Sequence, residues 1–247
     1  MELQFTGRGA AFLPQEGSTS AYFIEKKNLF LIDCGESTYL KLLSRKLLRP
    51  DFQYFLMVTH THSDHIGSLG SLVMDLYWRN KVKLSILTAP EMKYINPLVQ
   101  ALTIFECPPE QYQLCPVHTL DNHFQTFDTI RFQESNHSYL ASCGIVFSSK
   151  QHGDTLYTGD VCDTKLVETF LAEHDSIDKI YVDTSYTPSG VHVSYDTLKE
   201  VIPTELRKNV YCMHINDKKL IKQTKKDGFQ LAKTKRPLKQ YFKEKNL

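Results

Sequence analysis

The sequence predicts an α/β fold. Short apolar runs bounded by turn residues recur along the chain, patterns of helical period lie between them, and 247 residues suffice for one large domain with a substantial core. Strand-like runs fall at 21–25, 29–33, 55–59, 83–88, 129–133, 145–148, 156–158, 180–182 and 210–213. The first helical pattern, 38–48, places Leu40, Leu43 and Leu47 on one face and Lys41 and Arg45 elsewhere. The second, 66–77, has Ile66, Leu69, Leu72, Val73 and Leu76 as its apolar face. Residues 90–116 carry Pro90, Pro97, Pro108, Pro109 and Pro116, which predicts a helix mixed with an irregular loop. Helical patterns return at 163–174 and 194–201. There is no internal repeat, low-complexity segment or linker, so residues 1–247 are expected to form a single domain.

Charge and cysteine usage narrow the function classes. With 29 basic and 28 acidic side chains, the chain offers no broad electrostatic footprint for long nucleic acid. The exception is the Lys-rich stretch 218–245, read as a solvated helix face plus a tail, with a phosphate-attracting patch as the alternative. Cys34, Cys107, Cys115, Cys143, Cys162 and Cys212 form no C-x-x-C pair. Four of them sit in or beside apolar runs, where a thiol behaves as a small hydrophobe. With neither a signal peptide nor a membrane span in view, a cytoplasmic protein with reduced thiols is expected.

The chemistry is concentrated in Thr59-His60-Thr61-His62-Ser63-Asp64-His65, directly behind the apolar run Tyr54-Phe55-Leu56-Met57-Val58. Three imidazoles and a carboxylate in so short a span have no use in a packed core, and they are the usual ligands of zinc and similar cations. His60 and His62 alternate as residues leaving a strand do, so their rings can share one face. Asp64 and His65 lie past the strand end and can turn towards a second position.

This H-x-H-x-D-H motif resembles that of the metallo-β-lactamase superfamily of hydrolases. The resemblance calls for three further ligands in order, each at a strand end. Ser135-Asn136-His137, Thr155-Leu156-Tyr157-Thr158-Gly159-Asp160 and Val210-Tyr211-Cys212-Met213-His214 supply them. Any one of these alone would read as a solvated loop residue. The resemblance implies the four-layered αββα sandwich of the metallo-β-lactamase fold.

Further segments resemble the ribonuclease Z-like phosphodiesterase branch. They are Asp33-Cys34-Gly35-Glu36, the run from His137 through Ser142 to Gly144, Gly159-Asp160, and Gly190-Val191-His192-Val193-Ser194. Gly228-Phe229 is similar to the closing segment of related hydrolases. The tRNA-processing members carry a long arm between the third His and the bridging Asp. Here 22 residues lie between His137 and Asp160, which leaves no room for one. The segments Asp183-Thr184-Ser185 and Ile215-Asn216-Asp217 also differ from the tRNA enzymes. Compactness and balanced charge favour a small phosphodiester, and the chain resembles the anti-Pycsar family of bacteriophages, armless homodimeric relatives that hydrolyse cyclic mononucleotides.

What that resemblance implies is specific. His60, His62 and His137 hold one divalent metal ion; Asp64, His65 and His214 hold a second; Asp160 bridges them. Zinc is the expected ion, with manganese the alternative. Asp64 orients the nucleophile, His192 is the general acid, and Asp33 supports the metal loop. The expected substrates are 3′,5′-cyclic CMP and UMP, with cyclic AMP and GMP alongside, opened to 5′-monophosphates to counteract antiviral signalling. A homodimer, no membrane contact and, for a phage-encoded chain, the host cytoplasm complete the expectation. Phe12, Tyr139 and Tyr186 are candidates to stack on a base, and His118, His123, His152 and His174 read as surface residues. The competing readings are a ribonuclease Z-like endonuclease, a non-catalytic nucleotide sponge, and a lactonase or thioesterase.

Overall fold

The computed structural model describes residues 1–234. In chain order the elements are β1 (Gln4–Gly7), β2 (Ser20–Glu25), β3 (Asn28–Ile32), α1 (Thr38–Ser44), β4 (Gln53–Met57), α2 (Ser63–Ile66), α3 (Leu69–Trp78), β5 (Leu84–Thr88), α4 (Ile95–Ile104) and β6 (Tyr112–Pro116). Then come β7 (Thr129–Ser135), β8 (Ser142–Ser148), β9 (Asp154–Tyr157), α5 (Lys165–Glu173), β10 (Ile177–Asp183), α6 (Tyr195–Val201), β11 (Val210–Met213), α7 (Lys219–Lys226) and β12 (Gln230–Leu231).

The strands form two six-stranded sheets, ordered β1-β2-β3-β4-β5-β6 and β12-β11-β10-β9-β8-β7. In each sheet the first three strands in chain order pair antiparallel and the later ones parallel. The two halves of the chain therefore repeat one topology, although no repeat is visible in the sequence. Apolar residues of both sheets interleave between them. Phe30 stacks on Phe23 and Phe55 with ring centroids 4.7 and 4.8 Å apart, and meets Phe127 of the other half edge-on at 5.5 Å. A second apolar cluster lies between the outer face of the second sheet and α5, α6 and α7, through Phe170, Leu198 and Leu220. This is the expected αββα sandwich.

Local departures from the sequence reading have local causes. The helix expected over 38–48 stops at Ser44 because Lys46 turns left-handed and the Leu47 N–H returns to the Leu42 carbonyl. The helix expected over 66–77 is broken at Gly67-Ser68, where the Ser68 N–H and hydroxyl turn to the carbonyls of Cys34 and Gly35. The Pro-rich region holds helix α4 and the irregular stretch 105–111 as expected, and then ends in a strand, β6, that was not. The edge strands β1 and β12 were also not expected. The Lys-rich stretch includes α7, whose lysines are exposed, and its part beyond residue 234 lies outside the described residues. All six cysteines are unpaired. No helix among the described residues is long and apolar enough to cross a membrane.

Candidate metal centre

Parallel strands leave their C-terminal ends along one edge of a sheet, where ligands collect. Here the ends of β3, β4, β7, β9, β10 and β11 bring in Asp33, His60, His137, Asp160, Asp183 and His214. Strand β4 leaves its ladder at Met57, two residues before the expected end at Thr59. The N–H of Thr59 donates to Asp33 Oδ1 at 2.7 Å and its hydroxyl to Asp33 Oδ2 at 2.9 Å. Asp33 is buried in the left-handed region at φ 60°, a strained position for a residue with a Cβ. Its Oδ2 also accepts from His65 Nδ1 at 2.9 Å. One carboxylate thus pins both ends of the 59–65 loop, the supporting role expected for it.

The seven residues expected as ligands converge. The donor atoms of His60, His62, His137 and Asp160 lie within 4.8 Å of one another, and so do those of Asp64, His65, Asp160 and His214. His62 Nδ1 is 2.9 Å from His60 Nε2 and 3.2 Å from His137 Nε2. Asp160 stands between the groups, with Oδ1 3.3 Å from His65 Nε2 and Oδ2 3.3 Å from His214 Nε2. The other nitrogens of several rings are already engaged. His137 Nδ1 bonds the Val191 carbonyl at 2.9 Å, and His60 Nδ1 meets the Thr59 hydroxyl at 3.1 Å. Each such contact selects the ring nitrogen that faces the centre.

The site is rich in buried carboxylates. Asp33, Asp64, Asp160 and Asp183 are all buried, and their ion-pair partners among the described residues are all histidines. Burial opposes a charge on His214, yet Asp160, Asp183 and Asp64 outweigh it and push the ring up to about 10. Burial likewise opposes ionisation of Asp64, but the hydrogen bond from His214 and the charge of His65 hold its carboxyl well below the usual range. Inside the cluster, His65 Nε2 and Asp160 Oδ1 are buried with no hydrogen-bond partner. A buried imidazole nitrogen and a buried carboxylate oxygen without hydrogen bonds, set among four acids, fit divalent cations, because a cation can be bound by both.

His192 stands over this cluster, 5.3 Å from His137 and 4.8 Å from His214 between ring centroids. Its Nδ1 is 2.8 Å from Asp183 Oδ2. Burial disfavours its charge, but the hydrogen bond and charge of Asp183 prevail and raise its pKa. Sequence reasoning noted Asp183 only as a departure from the tRNA enzymes. The same carboxylate also faces His214 Nδ1 at 3.4 Å and accepts the Val161 N–H. Its one signal in the sequence is its place at a strand end, like Asp160.

Of the remaining residues singled out, Phe12 and Tyr139 are almost wholly exposed at 99 % and 92 %, and Tyr186 is half-buried. His118, His123 and His152 are exposed as expected. His174 is instead half-buried, stacked on Phe170 and bonded to Asp154 at 2.5 Å.

Solved structures place the fold. The metallo-β-lactamase fold protein YhfI from Bacillus subtilis superposes with a TM-score of 0.68 at 16 % identity, covering 92 % of this chain and 90 % of that one. Human tRNase Z, short form, superposes with a TM-score of 0.64 at 16 % identity, covering 95 % and 97 %. Fold and site together define a hydrolase of the metallo-β-lactamase fold. The family model of the anti-Pycsar protein Apyc1 matches residues 1–237, and the chain belongs to that family. An anti-Pycsar protein Apyc1 from Bacillus phage 010DV004 is 26 % identical over 241 residues, 88 % of this chain and 90 % of its own. A ribonuclease Z from Enterococcus faecalis is 34 % identical over only 77 residues, 30 % of this chain and 24 % of its own.

Proposed function

We propose that the protein hydrolyses 3′,5′-cyclic mononucleotides, cyclic CMP and UMP among them, to 5′-monophosphates, and so counteracts cyclic-nucleotide antiviral signalling. The observation that carries the reading is His192, oriented by Asp183 over a metal-type cluster, in a chain of the anti-Pycsar family. His60, His62, His137 and Asp160 would hold one zinc ion, and Asp64, His65, His214 and Asp160 a second. Four buried carboxylates carry the charge that two divalent cations neutralise. When bound, such ions lower the pKa of water and stabilise charge on phosphoryl oxygens.

The chain's own residues do the rest. Asp64, held ionised, orients the attacking water and accepts a hydrogen bond from it. His192 donates Nδ1–H to Asp183, which leaves Nε2–H to protonate the departing 3′-oxygen. Charge on Asp183 keeps the ring protonated until that bond breaks. A positioned acid of this kind contributes roughly 10²–10⁴-fold.

An RNA endonuclease fits less well. Strand β8 passes to β9 through the turn 149–153, so nothing extends between His137 and Asp160 to grip a large substrate. We take the protein to act as a homodimer, as the family resemblance implies. The test is chromatography of products from a panel of cyclic mononucleotides and a tRNA precursor. Conversion of the cyclic nucleotides to 5′-monophosphates is expected. Cleavage of the precursor with cyclic nucleotides untouched overturns the assignment.

A further inference from the structure

The segment His214-Ile215-Asn216 carries one of the cluster's histidines and is also a junction. Three other segments are tied to it. The loop 10–17 is anchored by the Ala10 N–H on the Ile215 carbonyl at 3.0 Å. The loop from Asp183 to His192 is anchored by the Tyr186 N–H on Asn216 Oδ1 at 2.8 Å, and Asn216 Nδ2 returns to Ser185 Oγ at 2.7 Å. Helix α7 begins just beyond and lays Lys219 Nζ 5.0 Å from the centroid of the Tyr186 ring.

Two of these segments present aromatic rings. Phe12 is 99 % exposed, yet the loop that carries it is not loose. Leu13, Glu16 and Gly17 each close a backbone turn within it, Gly9 bonds Gly17 at 2.8 Å, and Arg8 pairs with Glu16 at 2.9 Å. Leu13 and Tyr186 both pack on the same apolar cluster. An ordered loop that holds a Phe ring in water forgoes roughly 2 kcal/mol of burial free energy unless something covers the ring. Lys219 sets a cation over one face of the second ring. Aromatic surface with an adjacent ammonium matches a molecule that is both aromatic and anionic.

We propose that Phe12, Tyr186 and Lys219 form the nucleoside-reading rim of the site, with the base held against the aromatic rings and the phosphate drawn by Lys219. The inference rests on the cyclic-nucleotide reading above and adds its specificity. Recognition through ring faces accepts any base, because purines and pyrimidines both offer a π-face. The rim therefore favours a broad base range. Tyr139, exposed two residues beyond His137, is tied to neither loop by a hydrogen bond and is left out of the rim.

The test compares Phe12→Ala, Tyr186→Leu, Lys219→Gln and Tyr139→Ala with the parent protein, with cyclic CMP, cyclic GMP and a baseless methyl riboside 3′,5′-cyclic phosphate as substrates. Titration calorimetry with CMP measures binding without turnover. Phe12→Ala and Tyr186→Leu should each raise KM for both nucleotides roughly tenfold, as loss of one stacked ring does. The value of kcat, the baseless substrate and the melting temperature should stay unchanged, and CMP affinity should fall in step with KM. Lys219→Gln should flatten the salt dependence of kcat/KM. Equal losses on the baseless substrate, unchanged KM, or a loss carried by Tyr139→Ala instead overturn the rim while leaving the cyclic-nucleotide activity in place. A parent protein that turns over none of the three substrates overturns both readings.

Discussion

Replacing Asp183 by Asn keeps the volume of the side chain and removes its charge. The carboxylate lies 2.8 Å from His192 Nδ1 and 3.4 Å from His214 Nδ1, so the substitution acts on both rings. A hydrogen bond to a charged group contributes about 1.5–3 kcal/mol. At about 1.4 kcal/mol per tenfold, its loss from the acid lowers kcat on a cyclic nucleotide roughly 10- to 100-fold. The His214 contact predicts a separate effect, roughly 10–100-fold weaker metal retention against a chelator. Assays at saturating zinc separate the two. There, a p-nitrophenyl phosphodiester should lose much less than a cyclic nucleotide, since p-nitrophenolate departs without a proton. The pH profile supplies a second check. Asp183 raises the pKa of His192, and an acid works only while protonated, so activity is lost as pH rises through that raised value. In Asp183→Asn this alkaline limb should move to lower pH. Equal losses on both substrates at full metal occupancy, with the limb unmoved, would refute the assignment of Asp183 and His192 as a proton-donating pair.

Elemental analysis of the purified protein should find about two equivalents of zinc, and full activity with less than one equivalent after chelation would sink the dinuclear reading. Asp160→Ala should abolish activity and reduce bound metal more than loss of any other single ligand, because this carboxylate faces both groups of donors. Gly35→Ala should lower both metal content and melting temperature: a Cβ there would sit 1.8 Å from the Asp64 carbonyl oxygen, and the backbone of the ligand loop must move. Light scattering at micromolar concentration should report a dimer, and a monomeric mass would count against the homodimer.

The candidate ligand set was legible in the sequence. His60, His62, Asp64 and His65 share one short loop, and the resemblance that this loop carries pointed to His137, Asp160 and His214 in their order along the chain. The sequence also determined the α/β alternation, since burial imposes a period of two on strands and 3.6 on helices. Pairing across the fold was not legible. β1, β6 and β12 are strands because a neighbour supplies their hydrogen bonds, and little in four, five or two residues announces that neighbour. The helix break at Ser68 depends on carbonyls 33 and 34 residues away. Asp183 reads as an ordinary acid at a strand end until packing sets it between His192 and His214. The same holds for the ring nitrogen that each histidine presents. Such roles depend on contacts distant in sequence, and only the tertiary structure brings those residues within reach of one another.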